Sequence, residues 1–203
     1  MWQGTRALPA AALRDWRVTV PVLAITGLLI TTGDASLSRK IQSPHLEQES
    51  KLWSNRGLLD IEPAFTLLAV AHEDRCLFCH ATGHFVLTAL TTEAYTTAAV
   101  QVLKFSAGRE RPYTPGDGDG GFNEGGSSFP SGHAAGAFAM AELLYEHDPQ
   151  AGWTNGLGFS LASGVAAARF TAKEHFPSDL LVGALLGSLL GRCTAHCPPA
   201  PDH

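Results

Sequence analysis

No stretch of this chain alternates apolar and polar residues with a period of two, which leaves no pattern for a half-buried strand. From residue 134 onward it runs instead in apolar stretches of about 12–14 residues, the length of buried core helices. The spacing predicts helices over Gly83–Lys104, Gly132–Glu146, Asn155–Ala168 and Leu180–Leu190, with a shorter one over Pro63–Val70. In the first of these, Phe85, Leu87, Ala89, Leu90, Ala94, Ala98, Val102 and Leu103 supply a broad apolar face. The chain therefore reads as all-α, a single helical bundle. At 203 residues it is one domain, or one domain behind a short leader.

The punctuation between helices carries the chemistry. Ala168–Asp179 places an arginine, a histidine and an aspartate in one turn ahead of an apolar helix. Pro177 suits the first helical position, and Asp179 falls in the first turn, where a carboxylate complements the helix dipole. His175 sits just outside that start, so one ring nitrogen is expected to bond Asp179 while the other faces outward. Upstream, Lys104 ends one helix and Arg111-Pro112 follows seven residues later. Pro130-Ser131-Gly132-His133 opens another helix, with Ser131 as its N-cap. Residues 115–128 are rich in Gly, Asp and Ser and read as a loop, a mobile rim near the substrate entrance.

Taken in order, K-x6-R-P, P-S-G-H and R-x5-H-x3-D resemble the phosphatidic acid phosphatase type 2 superfamily, over Lys104 to Asp179. That superfamily includes lipid phosphate phosphatases, class A acid phosphatases and vanadium haloperoxidases. One departure is visible: Ala168 stands where many members have Ser before the third-motif arginine. The resemblance implies a helical bundle of that kind. It also implies a metal-independent, cofactor-free phosphatase acting on a phosphate monoester or pyrophosphate, of a small molecule or a lipid. In this reading His175 attacks phosphorus to form a phosphohistidine and Asp179 orients it. His133 protonates the leaving oxygen and later activates water. Lys104, Arg111 and Arg169, with the Ser131 and Gly132 N–H groups at a helix N-terminus, bind the phosphate. His175 is expected neutral and His133 protonated, which gives a bell-shaped pH profile. A vanadium-dependent haloperoxidase on the same scaffold is the enzymatic alternative.

Arg109 and Glu110 lie between matched positions and read as surface residues or as supports behind the site; Lys173 and Glu174 read as solvated. Arg6, Arg14 and Arg17 precede an apolar run over residues 18–30, the pattern of a signal peptide or signal anchor. That run is about 13 residues long and short of a bilayer span, so 1–33 reads as a leader, anchor or first helix. Residues 34–203 then form the catalytic domain, with 34–62 a polar surface connection, and the protein belongs to the cell envelope, membrane-associated or periplasmic.

Cys76-Leu77-Phe78-Cys79-His80 matches the c-type haem attachment pattern, which keeps an electron-transfer haem protein as a rival. Cys76, Cys79, Cys193 and Cys197 should lie at the end of the bundle away from catalysis, as disulfides, thiols or a zinc site. The net charge of −5 argues against a nucleic-acid partner.

Overall fold

The computed structural model describes residues 16–40, 47–50, 80–114 and 119–196, and among them every regular element is helical. A long first helix comprises α1 (Trp16–Leu28), a π-helical turn (Leu29–Gly33) and α2 (Asp34–Lys40). The bundle continues with α3 (His80–Ala107), α4 (Gly132–His147), α5 (Gly152–Thr171) and α6 (Pro177–His196). All four helices expected within the described residues are present; three are longer at both ends, and Gly132–His147 is longer by one residue at its C-terminal end. The expected helix over 63–70 lies outside the described residues.

Helix α4 is the central element. Ala134, Ala135, Ala139 and Ala141 are wholly buried and Met140, Leu143 and Leu144 nearly so, because helices α3, α5 and α6 cover it. A helix apolar on all sides is one that must be enclosed. Its small residues let α6 approach at backbone distance. A Cβ built on Gly183, Gly187 or Gly191 of α6 would lie 2.5 Å or less from the carbonyl oxygens of Ser131, Ala135 and Ala139 respectively. This every-fourth-residue stripe is the small-xxx-small packing of helices in apolar surroundings. Thr92 of α3 and Thr194 of α6 add a buried hydroxyl contact of 2.5 Å.

The first helix differs from its sequence expectation in length. The apolar run ends at residue 30, but the helix does not. The chain stays helical across the π turn, so Thr19–Lys40 is long and apolar enough to cross a bilayer, as is Pro177–His196. Val20, Leu23, Leu28, Leu87, Leu90 and Val102 are more than half exposed, which leaves large apolar side chains on the outer faces of α1 and α3. The π turn also has a local consequence. The Asp34 N–H reaches back five residues to the Leu29 carbonyl. Such an inserted turn rotates the helix beyond it, and Asp34 and Ser38 end up buried rather than on a polar surface connection.

Cys193 lies half-buried in α6. It is fourteen residues beyond Asp179, hence about 21 Å toward the opposite end of the bundle. Cys76, Cys79 and Cys197 fall outside the described residues, as do the side chains of the haem-like motif.

Candidate active site

Four chain segments meet at one end of the bundle: the C-terminal ends of α3 and α5 and the N-terminal ends of α4 and α6. They bring Lys104, His133, Arg169, His175 and Asp179 together, and the 108–131 connection adds Arg111 and Ser131. The convergence is electrostatic as well as topological. Burial and the charges of Arg111 and Arg169 lower the Lys104 pKa, with Asp179 and Glu174 opposing.

His133 stands in the middle of the cations. Burial first, then Arg169, His175, Lys104 and Arg111, push its pKa down to about 3. In the free enzyme His133 is therefore neutral near pH 7, where the sequence reading has it protonated. Three neighbouring fixed cations cannot be weighed from a motif alone.

His175 is fully buried rather than outward-facing, at 1% exposure, and burial is the main reason its pKa is lowered. Its Nδ1 lies 2.7 Å from the Ser128 carbonyl oxygen. A carbonyl only accepts, so Nδ1 carries the proton and Nε2 keeps the lone pair. The expected bond to Asp179 is not the orienting contact. The Asp179 oxygen is 3.8 Å from Nδ1, beyond hydrogen-bond range. Its carboxylate is engaged elsewhere: Arg109 donates to Oδ1 at 2.6 Å, and the Ser128 hydroxyl and Phe176 N–H donate to Oδ2 at 2.5 and 2.9 Å.

Ser128 is thus the residue that sequence reasoning missed. It ends the Gly-rich segment, whose described part, residues 119–128, folds back against the chain before it instead of forming a loose rim. Asn123 N–H bonds the Ala107 carbonyl, Gly126 N–H that of Gly108 and Ser128 N–H that of Arg109. Gly120 makes the fold-back feasible. Its φ is +70°, and a Cβ there would lie 2.5 Å from the Phe176 ring. The available signal is a serine three positions before the Pro-Ser-Gly-His serine, and it carries no charge to draw notice.

Arg109 is not on the surface. It is 1% exposed and sandwiched between the Phe122 and Phe176 rings at 4.8 and 4.3 Å. It donates to Asp34 at 2.8 Å, to Ser178 at 2.7 Å and to the Gly120 carbonyl at 3.0 Å as well as to Asp179. Asp34 also accepts from the Ser178 N–H at 3.1 Å and from the Ser178 hydroxyl. The first helix is thereby fastened to the residues behind His175.

Ser131 caps α4 as expected, its hydroxyl accepting from the Ala134 N–H at 3.4 Å. Its own N–H, however, donates to the Asp179 carbonyl at 3.0 Å, so that donor is committed to joining α4 to α6. Gly132, the first residue of α4, retains an N–H that the helix itself leaves without an internal partner. Glu174, expected in solvent, instead has 15% side-chain exposure and bridges Arg111 and Arg169, the latter at 3.4 Å.

Two histidines and three cations gathered at one end of a helical bundle form a cluster suited to an anionic group. Residues 85–201 match the PAP2 superfamily. The chain belongs to that superfamily. It is 38% identical over 93 residues to a lipid A 1-phosphatase of Porphyromonas gingivalis, a match covering 45% of this chain and 19% of that protein. This chain thus spans only a small part of the relative's length. Its fold is similar to that of a transmembrane PAP2-type phosphatidylglycerolphosphate phosphatase from Bacillus subtilis. The TM-score is 0.64 at 19% identity, over 93% of this chain and 94% of that one.

Proposed function

We propose that this protein is a membrane-embedded phosphatase of the cell envelope that hydrolyses a lipid phosphate monoester or pyrophosphate through a phosphohistidine. The observation that carries the lipid assignment is the apolar surface beside the site. Phe105 is 93% exposed and Val102 65% exposed, on either side of Lys104. A soluble phosphate needs no such surface, whereas the acyl region of a lipid does. The similarity to a lipid A 1-phosphatase and to a phosphatidylglycerolphosphate phosphatase supports the same reading, as do the two helices long enough to span a bilayer.

In this mechanism Lys104, Arg111 and Arg169 hold the phosphate oxygens, the arginines through paired N–H donors. His175, with its proton fixed on Nδ1 by Ser128, attacks phosphorus through Nε2. The phosphorus–oxygen bond to the leaving group breaks as His133 delivers a proton to that oxygen. Water then attacks the phosphohistidine, His133 takes its proton, and the phosphorus–nitrogen bond breaks to release orthophosphate. His133 is neutral in the free enzyme, so its proton must arrive with the substrate. A phosphate dianion set among the cations offsets their charge and raises the proton affinity of His133. The first helix belongs to this catalytic unit, because Asp34 is among the groups that hold Arg109.

The test is phosphate release in detergent micelles, with EDTA present, from phosphatidic acid, phosphatidylglycerophosphate and p-nitrophenyl phosphate. The lipids are expected to be turned over with the higher kcat/KM. Absence of release from all three, in folded protein, contradicts the assignment.

A further inference from the structure

The geometry points to Glu174 as a resident counter-anion that occupies the phosphate-binding arginines in the free enzyme and competes with phosphate for them. This deepens the phosphatase reading and rests on it.

Three observations converge. The Glu174 carboxylate bonds Arg111 and lies 3.4 Å from Arg169, so one acid spans both guanidinium groups assigned to the phosphate. Its placement is built by the backbone. Helix α5 ends after Thr171, and Lys173 takes φ +56°, the left-handed conformation that ends many helices and is uncommon for a residue other than glycine. The Glu174 N–H then turns back to the Arg169 carbonyl at 3.1 Å, which sets its side chain over the arginine five residues earlier. Finally, the carboxylate is largely shielded, at 15% exposure, among groups of opposite charge. A solvated surface acid would show none of these features.

A carboxylate and a phosphate present the same kind of oxygen pair to a guanidinium. Glu174 and the phosphate therefore draw on the same donors. In the free enzyme the carboxylate keeps two like-charged arginines side by side. When phosphate enters, it must displace Glu174 from some of those N–H groups. The same exchange runs in reverse after hydrolysis, when the carboxylate reclaims the arginines and helps expel orthophosphate. Glu174 is a positioning residue in this scheme: it touches the arginines and takes no part in bond making.

The experiment compares wild type with Glu174→Gln, reading the Ki of inorganic phosphate as competitive inhibitor and the KM of the lipid substrate. The neutral amide is a weaker competitor, so Ki is expected to fall at least about tenfold and KM to fall with it. A purely structural glutamate would leave Ki unchanged or raise it as the arginines lose their alignment. Glu174→Asp keeps the charge but shortens the reach. It should give an intermediate fall in Ki, and it covers the case in which the amide variant does not fold. An active, phosphate-inhibited wild type with Ki unchanged or raised in these variants overturns the role of Glu174 alone. A folded wild type that neither releases phosphate nor is stabilised by it overturns the phosphatase reading, and this inference with it.

Discussion

Asp34 and Arg109, 75 residues apart in sequence, form an ion pair of 2.8 Å in which neither side chain is more than 2% exposed. The same guanidinium reaches Asp179 at 2.6 Å. One buried cation thus joins the first helix, the Gly-rich segment and the helix behind His175. Removing it leaves two buried carboxylates facing each other, and stripping one side of a buried pair costs about 3–5 kcal/mol. Arg109→Leu should lower the Tm in detergent by on the order of 10 °C for a chain of this size. Asp34→Asn should cost less, because Arg109 keeps Asp179. Equal and small losses for both, by thermal unfolding, would show that the cluster does not hold the fold.

The pH dependence follows from His133. Its folded pKa, about 3, lies below the 6.5 of an unperturbed histidine, so the unfolded chain binds the proton more readily. The stability this group contributes is complete above about pH 6.5 and is lost as the pH falls from there toward 3. His133→Asn should flatten the fall in Tm across that window. The same depression means that binding inorganic phosphate at pH 7 should take up protons. Titration calorimetry in buffers of different ionisation enthalpy measures the number, expected to be larger for wild type than for His133→Asn.

Helix spacing is tested at Gly187. A Cβ there would overlap the Ala135 carbonyl oxygen, and backbone cannot step aside as a side chain can. Gly187→Ala must push α6 away from α4 and strain the Ser131–Asp179 backbone bond of 3.0 Å at the site end. Both Tm and kcat should fall. Gly164→Ala is the control: nothing lies within 4 Å of its Cβ, and alanine is the better helix former by about 1 kcal/mol. It should be neutral or stabilising.

Lipid preference is tested at Phe105, whose ring is 93% exposed next to Lys104. Phe105→Ser should raise the KM for phosphatidic acid in vesicles several-fold while leaving p-nitrophenyl phosphate turnover within about twofold, since burying an aromatic ring in an apolar phase is worth roughly 1.5–3 kcal/mol. Parallel losses on both substrates would place Phe105 in the site's architecture instead.

The bundle was legible because α4, α5 and α6 are long apolar segments with no competing strand pattern, and Ser131 and Pro177 mark two helix starts by simple capping chemistry. Lys104, Arg111, His133, Arg169, His175 and Asp179 could be singled out as a set only through the resemblance of their motifs to the superfamily, and the fold brings them to one end of the bundle. Their surroundings were not legible. In sequence Arg109 reads as a surface charge or a support behind the site and Glu174 as a solvated one, and only the fold shows which groups of opposite sign each of them meets. Ser128 acts through its backbone carbonyl, which every residue has. Asp34 lies beyond a π turn, an insertion that leaves no mark in hydrophobic periodicity. Such contacts join residues far apart in sequence, so local pattern holds no record of them.

The most direct measurement is to trap the intermediate. Wild type, His133→Ala and His175→Ala are each mixed with phosphatidic acid carrying a radiolabelled phosphate and quenched in denaturant at high pH. Protein-bound label stable to base and labile to acid is expected, accumulating in His133→Ala because water is no longer activated, and absent in His175→Ala. Label retained in His175→Ala, or full hydrolysis by that variant, would contradict a mechanism through His175.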